Sequence, residues 1–281
     1  MNLSSAGTER TLYVSDLDGT LLSADGVLAT DHARRLDRLV RDRGLLLTYA
    51  TARSHLMAAR ALGAGWGTPA VVYNGAFTVH PGDGAIVRQH FLTADTVHAV
   101  LQAARHLGLM PLVFDYGTRD RVRWVSGQET AAVQRYLRDR PADPRFDPCG
   151  DWDGFRTAAV FYIAVIGDAP AIAELATRLA GERSRATVNV QRDTYHPMDT
   201  WLELTPAGVT KATEVRALAD ALGATRLVCF GDNSNDLPLF EIADESYAVA
   251  NAAPHVRSAA TGVIGDNTSG SVVEWLEKNA G

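Results

Sequence analysis

The sequence predicts an α/β fold: a parallel sheet built from both ends of the chain, with a separate α+β domain inserted between them. Three observations carry that prediction. Strand and helix patterns alternate over the first 75 residues, as they do where parallel strands are joined by crossover helices. The rhythm changes over about residues 84–198 and the alternation then resumes towards the C-terminus. A chain of 281 residues also favours two domains over one.

In order, residues 12–15 read as a strand, and residues 31–43 as a helix whose apolar positions Ala33, Leu36, Leu39 and Val40 recur at helical spacing before Gly44 ends it. Residues 45–50 read as a second strand, 54–62 as a helix closed by Gly63, and 70–73 as a third strand. The HPGDG run at 80–84 marks a hairpin turn and the expected exit from the first unit, which sets a core at 1–83 and 199–281 and an inserted domain at 84–198. Inside the insert the sequence predicts a helix over 93–107 and strands over 111–116 and 121–125. A capping box at Ser126-Gly127-Gln128-Glu129 is expected to open the next helix. A strand over 157–166, a helix opened by Asp168 and Pro170 and closed by Gly181, and a strand over 187–191 follow. The core resumes with a helix over 210–222, a strand over 227–230, a helix over 236–242, a strand over 247–249 and a last helix over 271–278.

Composition narrows the function. The chain is 46% hydrophobic and 21% charged, the balance of an ordinary globular protein. A net charge of -6 argues against a nucleic-acid partner, which needs a basic face to neutralise phosphates. The arginines 119, 121 and 123 are interrupted by Asp120 and read as a solvated strand or loop. The longest apolar stretch, 158–166, is far below the roughly 20 residues of a membrane span, and MNLSSAGTER has no apolar leader. A cytoplasmic protein with no membrane partner is therefore expected. Cys149 and Cys229, far apart and in no metal-type spacing, suit a reducing compartment.

In open α/β sheets ligands bind beyond the carboxyl ends of the strands. Those positions are polar here: Asp16 and Asp18 after the first strand, Thr51, Arg53 and Ser54 after the second, Asn74 after the third, and Gly231-Asp232-Asn233-Ser234-Asn235-Asp236 after the strand ending at Phe230. A second Asp-x-Asp, Asp151-Trp152-Asp153, stands in a Pro/Gly/Asp-rich stretch with no apolar run before it. Four acids brought to one crevice repel unless a cation joins them. With no His or Cys beside them, oxygen-only ligands favour Mg²⁺. Lys211 falls in the first turn of its helix, where the macrodipole disfavours a cation and an anion docked nearby would reverse that sign. With Thr51 and free backbone N–H groups it makes a binding site for a phosphoryl group. Phosphoryl transfer to a carboxylate needs a base and an acid at one pH, and Asp16 and Asp18, two residues apart, are expected to project to the same side by the strand period of two. Gly19 lets the chain turn away.

DLDGTLL, the Thr of TYATARS, the Lys of TPAGVTK and GDNSND occur in the order of the four motifs of the haloacid dehalogenase superfamily, which the chain resembles from residue 12 to about 250. The resemblance implies a Rossmann-like core with an inserted cap and a Mg²⁺-dependent phosphatase acting through an aspartyl-phosphate. It implies Asp16 as nucleophile and Asp18 as general acid and base. The metal would be held by Asp16, the main-chain carbonyl of Asp18, and Asp232. Thr51 and Lys211 would bind the phosphoryl group and Asp236 would orient Lys211 or the metal shell. Asn235, Arg53 and the backbone at Asn74 and Gly75 would add phosphate or metal contacts, and Ala52 stands where the family often has Gly, which bears on Arg53.

Asp18 and Thr51 are 33 residues apart, filled by one helix and one strand, whereas Thr51 and Lys211 are 160 apart. The cap must lie in the second gap, the arrangement of the Cof-type, type IIB branch. The expected substrate is a small phosphate ester, a sugar phosphate or related metabolite, with Arg123, Trp124, His196 and Asp199 as candidate cap contacts. The alternatives are phosphoryl transfer to an acceptor other than water and a non-catalytic metabolite-binding regulator. The sequence sets no preference between a monomer and a homodimer.

Overall fold

The structure, a computed structural model, describes residues 9–63, 66–155, 159–193 and 196–280. Along the chain the first elements are β1 (Thr11–Ser15), α1 (Thr30–Arg43), β2 (Leu46–Tyr49), α2 (His55–Leu62), β3 (Ala70–Val72), β4 (Phe77–Val79) and β5 (Ile86–Gln89). Then come α3 (Ala94–His106), β6 (Pro111–Tyr116), β7 (Asp120–Arg123), α4 (Ala131–Arg138), β8 (Val160–Gly167), α5 (Ala169–Arg178), β9 (Ala186–Arg192) and β10 (Thr200–Pro206). The last are α6 (Lys211–Leu222), β11 (Arg226–Gly231), α7 (Leu237–Ile242), β12 (Glu245–Ala248), α8 (Pro254–Ala259), β13 (Gly262–Val263) and α9 (Ser271–Asn279).

The chain forms two compact units, one of residues 1–89 with 210–281 and the other of residues 90–209. In the first, the strand order is β13-β12-β11-β1-β2, and every neighbouring pair is parallel. β1 lies between β11 and β2, and its Leu12 and Val14 are fully buried, as are Leu47 of β2 and Phe230 of β11. Removing each such side chain from water is worth about 2 kcal/mol. Trp275 of α9 closes one side of the sheet edge-on to Phe230, ring centroids 5.1 Å apart. The third expected strand, β3, is joined to the parallel sheet by a bridge between Ala50 and Val71 and pairs antiparallel with β4, which pairs with β5.

The HPGDG turn does join a hairpin, β4 to β5, but it is not the exit from the unit. β5 is tied to α6, because Arg88 donates to the buried Glu214 carboxylate at 3.1 Å and Thr78 of β4 donates to the same oxygen at 3.4 Å. The boundary expected at 83 therefore moves to 89. The return boundary expected at 198 moves to 209, because β10 is paired along its length with β8 on one side and β9 on the other.

The second unit is an antiparallel sheet in the order β7-β6-β8-β10-β9. The strand expected over 157–166 begins at residues outside the described ones and is seen from Val160 to Gly167. The expected capping box at Ser126 does not form. Thr130 caps α4 by accepting from the Val133 amide, and the Glu129 carboxylate instead accepts from the Trp124 indole N–H at 2.8 Å and the Gly127 amide at 3.1 Å. The buried indole N–H needs an acceptor, and Glu129 supplies it. The second Asp-x-Asp is a turn, in which Asp151 Oδ1 accepts from the Gly154 amide. Both cysteines are buried free thiols, and no helix among the described residues is long and apolar enough to cross a membrane.

Candidate active site

The site is built at the carboxyl ends of β1, β2 and β11 within the first unit. β1 stops at Ser15, so Asp16 is the first residue beyond it, anchored by its amide donating to the Phe230 carbonyl. Residues 17–21 then form one wide, π-type turn, broken by Gly19 at φ +76°. The strand period thus does not carry through Asp16 and Asp18. Asp16 is 6% exposed, while the Asp18 side chain is half-exposed and points to Arg53.

Lys211, the first residue of α6, is buried beneath Asp16. Its Nζ donates to Asp16 Oδ1 at 2.6 Å and to Asp236 Oδ1 at 2.9 Å. Thr210 caps the helix and begins the turn that aims the lysine inward. Asp236 is fully buried and its other oxygen accepts from the amides of Asp232 and Asn233 at 3.1 and 3.2 Å. It therefore holds the loop after β11 and the lysine in one grip. Asp232 is fixed by Thr20, whose hydroxyl donates to Asp232 Oδ1 at 3.0 Å. Carboxylate oxygens of Asp16, Asp232 and Asp236 lie within 4.8 Å of one another.

The electrostatics follow from that crowding. Burial raises the Asp16 carboxyl above the usual carboxylate range; Lys211 pulls it back and Asp236 adds to the rise. Burial, then Asp236, pushes Asp232 up to about 6. For Lys211, burial works against the charge, but Asp16 and Asp236 outweigh it and hold the ammonium charged. Three carboxylates share this lysine among the described residues, so the cluster has an excess of negative charge that a divalent cation would cancel. The donors fit Mg²⁺: all are oxygens, and Asp16 Oδ2 and Asp232 Oδ2 are not taken up by the bonds that orient their partner oxygens. Asp236, by contrast, has both oxygens engaged and acts as the organiser of the cluster.

Thr51 is buried, and its Oγ1 accepts from the Arg53 amide at 3.1 Å, which leaves the hydroxyl proton available to an anion. One of the expected backbone contacts is differently used. The Asn74 amide donates to the Thr51 carbonyl at 2.9 Å, so it braces the strand end rather than facing a ligand. Tyr73 and Asn74 both adopt positive φ, 51° and 53°, and Gly75 has φ +110°. Side chains rarely take that conformation, and it is retained here beside the site, where the buried Asn74 Oδ1 has no hydrogen-bond partner among the described residues. Asn235 is exposed. Arg53 forms a two-pronged pair with Asp18, Nε to Oδ2 at 2.8 Å and Nη2 to Oδ1 at 2.5 Å.

In the second unit, the four candidate contact residues all have structural partners. Trp124 is buried edge-on to Phe146, 5.4 Å between ring centroids, and Arg123 Nη1 donates to the Gly154 carbonyl at 2.6 Å. Asp199 is buried in a two-pronged pair with Arg135, and His196 Nε2 lies 2.8 Å from Asp139 Oδ2. Thr20 and Asn251, which donates to the Gly19 carbonyl at 2.8 Å, are site-shaping residues that sequence reading missed. Thr20 lay in the quoted DLDGTLL; nothing marks Asn251.

The family model for the haloacid dehalogenase-like hydrolases matches residues 13–276. An HMP-PP phosphatase of Enterobacter sp. (strain 638) is 29% identical over 254 residues, covering 87% of this chain and 86% of that protein. The HMP-PP phosphatase of Escherichia coli O8 is 28% identical over 258 residues, covering 88% and 86%. Among solved structures, a haloacid dehalogenase-like hydrolase from Bacteroides thetaiotaomicron superposes with a TM-score of 0.78 at 24% identity, over 96% of this chain and 99% of that one. The fold is thus shared along nearly the whole length.

Proposed function

The chain belongs to the haloacid dehalogenase-like hydrolases and is a phosphatase; from that premise we propose that it is a Mg²⁺-dependent phosphomonoester hydrolase working through an aspartyl-phosphate on Asp16. The observation that carries this reading is the buried cluster in which Lys211 joins Asp16 to Asp236 beside Asp232.

Asp16 is placed to attack phosphorus with one of its two carboxylate oxygens, the other being left to the metal site, while Lys211 holds the group in place. The new bond is Asp16 Oδ to phosphorus, and the bond that breaks joins phosphorus to the ester oxygen. Asp18 gives that oxygen its proton, and the alcohol leaves. In the second half Asp18 takes a proton from water, whose oxygen displaces Asp16 from phosphorus and yields inorganic phosphate. Lys211 and the Thr51 hydroxyl neutralise and orient the phosphoryl oxygens throughout. Mg²⁺, held by Asp16, Asp232 and the main-chain carbonyl of Asp18, supplies charge neutralisation when bound. The substrate is a small phosphorylated metabolite. HMP-PP, named for the relatives, belongs beside sugar phosphates in a substrate panel.

The test is hydrolysis of an aryl phosphate by the purified protein with Mg²⁺ and with a chelator. Turnover should need Mg²⁺, and Asp16→Asn should lower it by about 10³-fold or more. Full activity in Asp16→Asn would overturn the mechanism. A panel with and without added acceptor alcohols separates hydrolysis from transfer.

A further inference from the structure

The pairing of Arg53 with Asp18 assigns Arg53 a task that phosphate binding does not describe. The guanidinium presents its Nε and Nη2 edge to both oxygens of one carboxylate, at 2.8 and 2.5 Å. A two-pronged contact of this kind fixes the plane of a carboxylate as well as its position. The partners are unequally anchored: the Arg53 side chain is 20% exposed and the Asp18 side chain 56%. The backbone of Arg53 is held at both ends, its amide donating to Thr51 Oγ1 at 3.1 Å and its carbonyl accepting from the Tyr73 amide at 3.0 Å. The head of the side chain is braced too. A Cβ at Gly26, which has φ +74°, would lie 2.9 Å from Arg53 Nη2, so the turn between Ser23 and Val27 abuts the guanidinium and a side chain there would push it aside.

We propose that Arg53 is the positioning residue for Asp18, holding the plane of its carboxyl group for proton transfer to the leaving oxygen, with Gly26 kept free of a side chain so that the guanidinium can sit where it does. This rests on the reading of Asp18 as the proton carrier. A half-exposed carboxylate without Arg53 would sample several rotamers, and proton transfer requires hydrogen-bond reach to one particular oxygen. A misplacement of about 1 Å can cost about 10²-fold in rate. The arginine's own contribution to stability is small, because half-exposed ion pairs contribute little, so its replacement leaves the fold to be assayed.

The experiment compares an alkyl phosphate, whose leaving group needs the proton, with 4-nitrophenyl phosphate, whose leaving group does not, in the Mg²⁺-supplemented full chain. Arg53→Met is expected to lower kcat/KM, which reports the steps up to departure of the leaving group, by about 10²-fold for the alkyl ester and by less than about 3-fold for the aryl ester, with inhibition by inorganic phosphate nearly unchanged. Arg53→Lys, which keeps the charge without the fork, is expected to resemble Arg53→Met. Gly26→Ala should give a milder loss with the same leaving-group selectivity. In an Asp18→Asn background Arg53→Met should add little, since both changes remove one function. Equal loss of kcat/KM on both esters, weakened inhibition by inorganic phosphate, or full rescue by lysine would overturn the proposal and return Arg53 to phosphate binding. A wild-type chain without Mg²⁺-dependent turnover would overturn the functional reading itself, and this inference with it.

Discussion

Lys211 Nζ lies 2.6 Å from Asp16 Oδ1, and the two residues are buried 195 positions apart in the chain. The contact joins the first residue beyond β1 to the first residue of α6, so the end of the first strand and the start of the returning core are fixed by one charge pair. Its position also settles how a cation can sit in the first turn of a helix against the macrodipole: two carboxylates, Asp16 and Asp236, hold it there.

Lys211→Met removes that cation and leaves Asp16 and Asp236 buried without it. Activity towards an aryl phosphate is expected to fall by about 10²- to 10³-fold, the usual cost of losing one preorganised donor to a developing charge. Breaking a buried pair typically costs about 3–5 kcal/mol. The loss of stability should be smaller at pH 5 than at pH 7.5, because the stranded Asp16 carboxyl, already raised by burial, can take a proton. Thermal melts at the two pH values check the order; an equal destabilisation at both would count against a charged cluster.

Metal binding should depend on pH through Asp232. Its carboxyl is raised from 3.8 to about 6 in the folded chain by burial and by Asp236. In the metal-free protein the folded state therefore holds this proton more tightly than the unfolded state, so its contribution to stability falls as pH rises from about 4 through about 6. Mg²⁺ needs the ionised carboxylate, so its affinity rises over the same window. Added Mg²⁺ should raise the melting temperature clearly at pH 7.5 and much less at pH 5. A gain independent of pH would show that Asp232 is not a ligand.

The site was far more legible in the sequence than the way its parts interlock. Asp16, Thr51 and Asp232 each follow an apolar strand run, and Lys211 opens a helix, so topology alone sends them to one end of the sheet. The Arg53 to Asp18 pair left no such signal, because the two residues are 35 apart and an arginine after a strand end has many potential partners. The boundary at 209 was missed for a different reason. TWLELTP alternates apolar and polar residues as a strand should, but that pattern fits either sheet equally, and only its pairing with Val160–Gly167 and Ala186–Arg192 decides. Ser126 to Glu129 matched a capping box in spacing, yet the buried Trp124 indole claimed the glutamate.

Gly231, at the end of β11, is expected to be irreplaceable on steric grounds alone. A Cβ there would lie 2.6 Å from the Asp236 Cβ and 2.8 Å from its Oδ2. Neither atom can yield cheaply, since Oδ2 holds the amides of Asp232 and Asn233 and Oδ1 holds Lys211. Gly231→Ala should therefore displace Asp236, loosen the loop that carries Asp232 and free Lys211 from one of its two partners. Crowding of this kind typically costs about 1–3 kcal/mol. Mg²⁺ affinity and kcat should fall together, each by about tenfold or more, since a shift of about 1 Å in a reacting group can cost far more than that. Titration of Mg²⁺ by calorimetry, beside the aryl phosphate assay, reads both quantities, and an alanine variant with unaltered metal affinity would break the chain of contacts from Gly231 through Asp236 to the metal loop.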